Sequence, residues 1–316
     1  MRSPDSRSRS PHQDRSGLIA GIAAFGLWGV IPIYWKLLRA TPAIEILAHR
    51  FVWTTLFLIA LLTWQQRWPE IRQITRSRAA LTYCLTSGIA ISVNWLTFIW
   101  AVNAGRIIET SLGYFMTPLV NVLFGAVFLR ERLTRMQLVA VSLAAAGVLI
   151  LTFGYGKFPW VAIVLCTSFG IYGLLRKKSG TRPIAGLFLE TTLLAPLAFA
   201  FLVALHYRDA FVFPRTSIAH ALLLCSTGIV TGLPLVWFGH AVRHLRLTTL
   251  GFLQYLSPTG SFLVGVLLYH EPFSTGQLIT FVLIWIGLAI FTAEAAYRWR
   301  NRATGTAGAA IAESPA

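Results

Sequence analysis

The sequence predicts an all-α membrane protein in which ten transmembrane helices form two inverted five-helix repeats. Three observations predict this fold: long apolar runs, a duplication at a fixed offset, and basic residues concentrated in alternate connections. Of the 316 residues, 56% are hydrophobic and 12% are charged, whereas a soluble domain carries roughly 25% charged residues. The composition therefore indicates an integral membrane protein.

Ten apolar runs have the length of a membrane span, since about 20 helical residues cross a hydrocarbon core about 30 Å thick. The runs lie at approximately 17–38, 43–64, 79–102, 108–129, 134–152, 158–176, 183–205, 217–240, 247–269 and 275–297. Residues 1–16, rich in Arg and Ser, and residues 298–316, rich in Ala, are expected to be disordered cytoplasmic tails.

The second half of the chain repeats the first at an offset of 140 residues. The matched positions are Pro118 with Pro258, Gly125 with Gly265, Glu131 with Glu271, Gln137 with Gln277 and Gly147 with Gly287. The predicted repeats, 17–154 and 155–297, hold five spans each. Because five is odd, the second repeat must lie upside down relative to the first, as in many secondary transporters.

Lysine and arginine are divided unequally between the two sides of the predicted membrane. One set of tails and connections holds 20 of them, and the other set holds 6. Since basic residues favour the cytoplasmic side, both termini are predicted to be cytoplasmic. The net charge of +16 arises from these connections, so nucleic acid is not expected as a partner.

Local patterns predict helix starts and helix contacts. Thr134 with Gln137 and Ser274 with Gln277 each fit a capping box at the start of the last span of a repeat. The motif Gly228-x-x-x-Gly232 would permit close helix contact. Aromatic residues near span ends are predicted to lie at the membrane interface, and Tyr34 and Trp35 are among them.

The second span carries three ionisable residues, Glu45, His49 and Arg50. Arg50 lies roughly 12 Å into the helix, close to the middle of the bilayer, where a guanidinium must face a partner or water. We interpret Arg50 as a group that holds an anionic substrate or an acidic partner, and His49 as a titrating group. The alternative is a structural ion pair of Arg50 with Glu190 or Glu109.

Two acids within predicted spans, Glu45 and Glu190, are candidates for proton coupling, because a desolvated carboxyl group binds a proton more readily. Each has a structural alternative. Glu45 would be stabilised at the positive end of its helix, and Glu190 would face the membrane interface.

Polar and aromatic residues recur on the spans expected to line the middle of the protein. The candidates for contact with cargo are Asn94, Trp95, Tyr114, Gln254 and Tyr255. This mixture suits a flat or amphipathic molecule, and the alternative is hydrogen bonding between helices.

Two prolines inside spans, Pro118 and Pro258, are repeat equivalents. A proline within a helix frees a carbonyl group, so this pair is predicted to form hinges beside a cavity. The alternative is a tolerated kink.

Several enzyme and metal-site patterns are missing from the sequence. It has no motif for ATP hydrolysis or proteolysis, so we expect no enzyme activity, no catalytic residues and no cofactor. His240 and His244 are interpreted as a solvated flank rather than a metal site. Cys84, Cys166 and Cys225 stand alone in apolar runs and imply no disulfide framework.

Six stretches carry a family resemblance. They are Glu45-Ile-Leu-Ala-His49-Arg50, Asn94-Trp95…Trp100-Ala-Val-Asn103, Ser111-Leu-Gly-Tyr-Phe115…Pro118, Leu129-Arg-Glu131-Arg132, Tyr172-Gly-Leu-Leu-Arg-Lys177-Lys178 and Leu247…Leu250-Gly-Phe252…Gln254-Tyr255…Pro258. Over residues 17–297 the chain resembles the RarD group of the EamA family, within the drug/metabolite transporter superfamily. The resemblance implies ten helices in two EamA repeats and a bacterial inner-membrane location, and it implies no catalytic set.

The expected function is secondary active transport of a small organic solute, a metabolite or drug, by alternating access, with protons as the candidate coupling ion. The alternatives are an uncoupled facilitator or channel and a non-transporting membrane sensor. The expected partners are a small-molecule substrate and the lipid bilayer, and the sequence leaves the oligomeric state open.

Overall fold

A computed structural model describes residues 11–129, 133–154, 156–208, 212–213, 217–245 and 253–312. Its helices are α1 (Pro11–Leu37), α2 (Ala43–Trp64), α3 (Trp68–Thr75), α4 (Arg78–Asn103), α5 (Ile107–Leu129), α6 (Arg135–Leu149), α7 (Trp160–Ser179), α8 (Pro183–Tyr207), α9 (Ile218–His244), α10 (Leu256–Leu263) and α11 (Thr275–Ala312). Short π-helical turns at Ile150–Gly154 and Val264–Leu268 continue α6 and α10.

The helical membrane fold predicted from the sequence is confirmed. Within the described residues, eight helices are long and apolar enough to cross a membrane. Shorter apolar helices, Trp160–Arg176 and Leu256–Leu268, lie at the predicted sixth and ninth spans. Residues 246–252, at the predicted start of the ninth span, lie outside the described residues, and the total of ten spans stays a prediction.

The helix bounds differ from the predicted bounds mainly outside the apolar runs. α1 begins and α11 ends within segments predicted to be tails, at Pro11 and Ala312, and the disorder of those tails stays a prediction. The connector after α2 contains a short helix, α3, that was not predicted. Pro69 at its first turn and buried Ile71 on one face explain why it forms.

The chain groups into two compact units, and the first unit comprises Met1–Tyr114 and Val161–Pro272. In it α2 packs against α8 and α9, while α1 packs against α9 and α10. Gly228 lies against the main chain of Trp53 and Thr54, which lets α9 approach α2 closely, as the glycine spacing predicted. One buried hydrophobic cluster of this unit combines side chains of α2, α3, α4 and α8, among them Leu58 and Ile91.

The second unit comprises Phe115–Trp160 and Phe273–Ala316, and its main contact joins α6 to α11. Both helices begin with the predicted capping boxes. The Thr134 and Ser274 hydroxyls accept hydrogen bonds from the Gln137 and Gln277 main-chain amides at 3.1 and 3.3 Å. The glutamine side chains accept in return from the main-chain amides of Thr134 and Ser274 at 3.1 and 2.8 Å.

In the contact between α6 and α11, each helix contributes residues that are repeat equivalents of those on the other helix. Gly147 packs against Thr280, whose hydroxyl donates to the Gly147 carbonyl at 2.9 Å. Gly287 packs against Ala140. Gly287 is the repeat equivalent of Gly147, and Thr280 is that of Ala140, each at the 140-residue offset. Such a reciprocal contact between equivalent residues is the geometry of a two-fold axis.

The first unit contains a second reciprocal contact. Gly113 packs against Leu165, and Leu253 packs against Gly21. Gly113 and Leu253 are 140 residues apart, and Gly21 and Leu165 are 144 apart, the offset that also relates Phe25 to Phe169. Two separate contacts therefore follow the duplication found in the sequence.

Candidate functional site

Arg50 is a buried cation on the eighth residue of α2, with 7% of its surface exposed. Its guanidinium carbon lies 3.6 Å from the ring centroid of Trp95 on α4 and 5.1 Å from that of Trp35 on α1. Within the described residues, Arg50 forms no hydrogen bond or ion pair, and its Nε is buried without a partner. Tyr114 and Tyr34 also lie near the guanidinium.

Neither ion pair considered for Arg50 is formed. Glu190 pairs with Arg176, and Glu109 pairs with Arg106 at 2.7 Å. Both alternatives are therefore wrong, because α2 directs the guanidinium towards the indole rings of α1 and α4 and not towards these acids.

Trp35 belongs to the site, although its place near a span end predicts a position at the membrane interface. The residue is 0% exposed, and its indole Nε1 is buried without a hydrogen-bond partner. The interfacial role is therefore wrong for Trp35. The run Tyr34-Trp35-Lys36 at the end of an apolar segment has the composition of an interfacial anchor, so no local signal would have identified its burial.

Glu45 and His49 lie together one turn apart on α2, as the i, i+4 spacing predicted. The Glu45 Oε1 atom is 4.0 Å from His49 Nε2 and accepts hydrogen bonds from the main-chain amides of Val212 and Phe213 at 3.1 and 3.3 Å. The Trp53 indole donates to His49 Nδ1 at 3.3 Å. Glu45 thus links the start of α2 to the segment that follows α8 by hydrogen bonds.

Glu190 is the centre of a separate hydrogen-bonded group. Its carboxylate is 0% exposed and accepts from the Ser87 hydroxyl at 2.7 Å and the Tyr172 hydroxyl at 3.3 Å. It also pairs with Arg176 at 3.4 Å. The interface-facing alternative is wrong, since the carboxylate links α8 to α4 and α7 inside the bundle. A role in proton coupling stays a prediction.

Asn94 and Tyr114 are hydrogen-bonded to each other and to a third helix. The Asn94 amide donates to the Leu165 carbonyl at 3.0 Å and the Ser168 hydroxyl at 3.1 Å. Its oxygen accepts from the Tyr114 hydroxyl at 3.0 Å. These bonds link α4, α5 and α7 beside Arg50. Asn94 and Tyr114 therefore take part in hydrogen bonding between helices, the alternative to contact with cargo.

The remaining predicted site residues lie elsewhere in the chain. Gln254 and Tyr255 are half-buried and directly precede α10. Pro118 lies inside α5. Pro258 lies in the first turn of α10, and its carbonyl accepts a hydrogen bond from the Ser111 hydroxyl at 2.6 Å. The hinge role of both prolines stays a prediction.

Glu271 forms a contact whose partner the sequence did not reveal. Its carboxylate accepts from the main-chain amides of Ile107 and Ile108 at 2.9 and 3.0 Å, so it caps the start of α5. Its repeat equivalent, Glu131, lies outside the described residues. The described residues contain no group of three or more potential metal ligands.

The fold defines a multi-pass helical membrane protein. The model of the EamA-like transporter family matches residues 15–153. A Bacillus subtilis protein described as the uncharacterized transporter YojE is 44% identical over 285 residues, covering 89% of this chain and 94% of that protein. Protein RarD of Escherichia coli is 40% identical over 289 residues, covering 92% of this chain and 98% of its own length.

A Pseudomonas aeruginosa relative, described as the chloramphenicol-sensitive protein RarD, is 33% identical and covers 91% of this chain and 97% of its own length. A solved crystal structure covers 87% of this chain and 96% of its own chain with a TM-score of 0.55 and 20% identity, a likeness of fold alone. This chain belongs to the RarD group of the EamA-like transporter family, and it is a membrane transporter of the drug/metabolite superfamily.

Proposed function

We propose that the protein is a secondary active transporter that moves a small organic solute across the bacterial cytoplasmic membrane by alternating access. One observation carries the proposal: Arg50 is buried in a membrane helix, stacked on Trp95, and has no acidic partner in the described part of the chain. Charged residues at such positions are costly and are characteristic of substrate pathways.

The reciprocal contacts support alternating access. Gly147 with Thr280 and Gly287 with Ala140 are the contacts expected if residues 17–154 and 155–297 are inverted repeats. A transporter built in this way places its substrate near the midplane and opens to either side by equivalent movements. In this proposal both termini are cytoplasmic, and the helices that carry Pro118 and Pro258 move as gates.

The site residues have different roles in this proposal. Arg50 provides charge complementarity, and Trp95 contacts the cargo directly. Asn94 and Tyr114 act as positioning residues, because their hydrogen bonds hold α4 and α5 beside the guanidinium. Gln254 and Tyr255, which directly precede α10, complete the contact with cargo.

Protons are the candidate coupling ion, and the Glu45–His49 pair is the candidate coupling group. The two side chains are 4.0 Å apart, and the second carboxylate oxygen of Glu45 is buried without a partner, so protonation of this oxygen would break no hydrogen bond within the described residues. Glu190 is a second candidate, with its carboxylate held by Ser87, Tyr172 and Arg176.

The test uses purified protein in liposomes. Metabolites and drugs that raise its thermal unfolding temperature are assayed for uptake, with a pH-sensitive dye inside the liposomes. We expect solute uptake that concentrates cargo and moves protons, and Glu45→Gln, His49→Ala or Glu190→Gln should abolish the proton flux. Proton flux unchanged in all three variants removes the coupling. Uptake that equilibrates without concentrating indicates a facilitator, and no uptake of any stabilising solute contradicts transport.

A further inference from the structure

The charge around Arg50 is unbalanced within the described residues. A guanidinium stays protonated at any pH a protein meets, so Arg50 is a permanent cation inside the helix bundle. The acid on the same helix, Glu45, accepts hydrogen bonds from the main-chain amides of Val212 and Phe213 through one oxygen and forms no ion pair with Arg50 within the described residues. Since a buried charge without a partner is strongly destabilising, a bound anion would stabilise Arg50.

Two buried donors at the site have no acceptor. They are Arg50 Nε and Trp35 Nε1, and the two side chains are in contact, with the guanidinium 5.1 Å from the Trp35 ring centroid. Both atoms only donate hydrogen bonds. A carboxylate has two oxygens and accepts from two donors at once. The hydroxyl of Thr54, one turn after Arg50 on α2, is also buried without a partner.

The surroundings favour an organic monoanion. Trp95 lies 3.6 Å from the guanidinium and contacts Phe51, with 5.7 Å between the ring centroids, so apolar ring faces border the charge. One guanidinium balances one negative charge, and a dianion would leave its second charge among indoles. Aromatic rings alone would attract a cationic solute, but here Arg50 already lies over both indoles and repels one.

We propose that the cargo is an organic monoanion with a planar apolar body, whose carboxylate is held by Arg50 Nε and Trp35 Nε1 while its body lies beside Trp95. This inference rests on the proposed transport function and names the class of its substrate. Trp35 thereby becomes a specificity-determining residue, because its N–H favours a group with an acceptor oxygen over a cationic group at the same place, while Arg50 favours an anion over a neutral group.

The test compares probes of one shape and different charge. Benzoate, benzamide and benzylamine carry an anionic, a neutral and a cationic group on the same ring, and sulfate is an anion without an apolar body. Binding to the full chain in detergent is measured by isothermal titration. We expect saturable binding of benzoate and at least tenfold weaker binding of the other three, since a hydrogen bond to a charged group contributes about 1.5–3 kcal/mol.

Three variants locate the binding. Arg50→Met removes the charge and should weaken benzoate binding by roughly tenfold or more, and Arg50→Lys should lie between Arg50→Met and the unaltered chain. Trp35→Phe keeps an aromatic ring and removes the N–H, and should weaken binding several-fold. Trp64→Phe is the control, because Trp64 is 80% exposed at the end of α2, and its binding should be unchanged.

The outcomes separate this inference from the transport function. Equal binding of benzoate and benzamide, or unchanged benzoate binding in Trp35→Phe, overturns the inference even if Arg50→Met fails to fold. Uptake of neutral or cationic solutes into liposomes, with anions inert, overturns the inference and leaves transport standing. Benzoate binding that depends on Arg50 and Trp35, without uptake of any solute, supports the site and contradicts transport.

Discussion

At the residue scale, two arginines inside the bundle have different partners. Arg176 meets the buried carboxylate of Glu190 at 3.4 Å and also bonds to the Thr181 hydroxyl at 3.1 Å. Arg50 lies over two indole rings and forms no ion pair with an acid within the described residues. The first arrangement stabilises the fold with groups supplied by the chain, and the second leaves a charge for a ligand to balance.

The Glu190–Arg176 pair should contribute to stability mainly when both partners are present. We predict that Glu190→Gln lowers the free energy of unfolding by about 2 kcal/mol, a value reduced because Arg176 is 15% exposed. Arg176→Gln should cost about as much, and the double variant should cost less than the sum. Thermal or denaturant unfolding in detergent measures these differences. Strictly additive losses would show that the two side chains do not interact.

Sequence reasoning found some site residues and missed others for physical reasons. Arg50 was identifiable because a lone cation in an apolar run is costly wherever it points. The partners of Glu190 lie 103, 18 and 14 residues away along the chain, and no local pattern specifies them. Trp35 was misassigned because an aromatic side chain near a span end suits both a lipid interface and a buried site.

At the element scale, helix starts and close helix contacts follow short patterns. The capping boxes of α6 and α11 need only a hydroxyl and a glutamine three residues later, so the sequence predicts them directly. The predicted second span, 43–64, matches α2 at Ala43–Trp64. The packing of α2 against α8 and α9 joins distant parts of the chain, and an apolar run alone does not select such partners.

The approach of α9 to α2 should depend on Gly228. A β-carbon there would meet the main chain of Trp53 and Thr54, whereas one at Gly239, on the same helix, would meet nothing within 4 Å. We predict that Gly228→Ala lowers the free energy of unfolding by about 1–3 kcal/mol through overpacking, and that Gly239→Ala does not destabilise. The midpoints of thermal unfolding compare the two variants. Equal midpoints would contradict the close contact.

The start of α5 should depend on the Glu271 carboxylate. Two main-chain amides donate to it, so Glu271→Gln replaces one acceptor by a donor and should cost about 1 kcal/mol. Faster hydrogen exchange at Ile107 and Ile108 is the expected local sign. Glu70→Gln is the control, because Glu70 pairs with Arg67 in the connector after α2 and should change neither amide. Unchanged exchange in Glu271→Gln would argue against the cap.

At the scale of the whole molecule, the duplication in the sequence reappears as paired contacts. Gly147 with Thr280 mirrors Gly287 with Ala140, and Gly113 with Leu165 mirrors Leu253 with Gly21. Each compact unit contains chain from both predicted repeats, as expected if the repeats interlock. The offset predicted which residues are equivalent, but it did not predict that Gly147 and Gly287 would each face the opposite repeat.

The orientation of equivalent connections tests the inverted repeat most directly. Leu133 and Phe273 are 140 residues apart and precede the two capping boxes. In a variant without the three native cysteines, Leu133→Cys and Phe273→Cys are each exposed to a membrane-impermeant maleimide from either side of the membrane. We predict labelling of Leu133→Cys only from the cytoplasmic side and of Phe273→Cys only from the outside. Labelling of both from the same side would contradict the antiparallel arrangement.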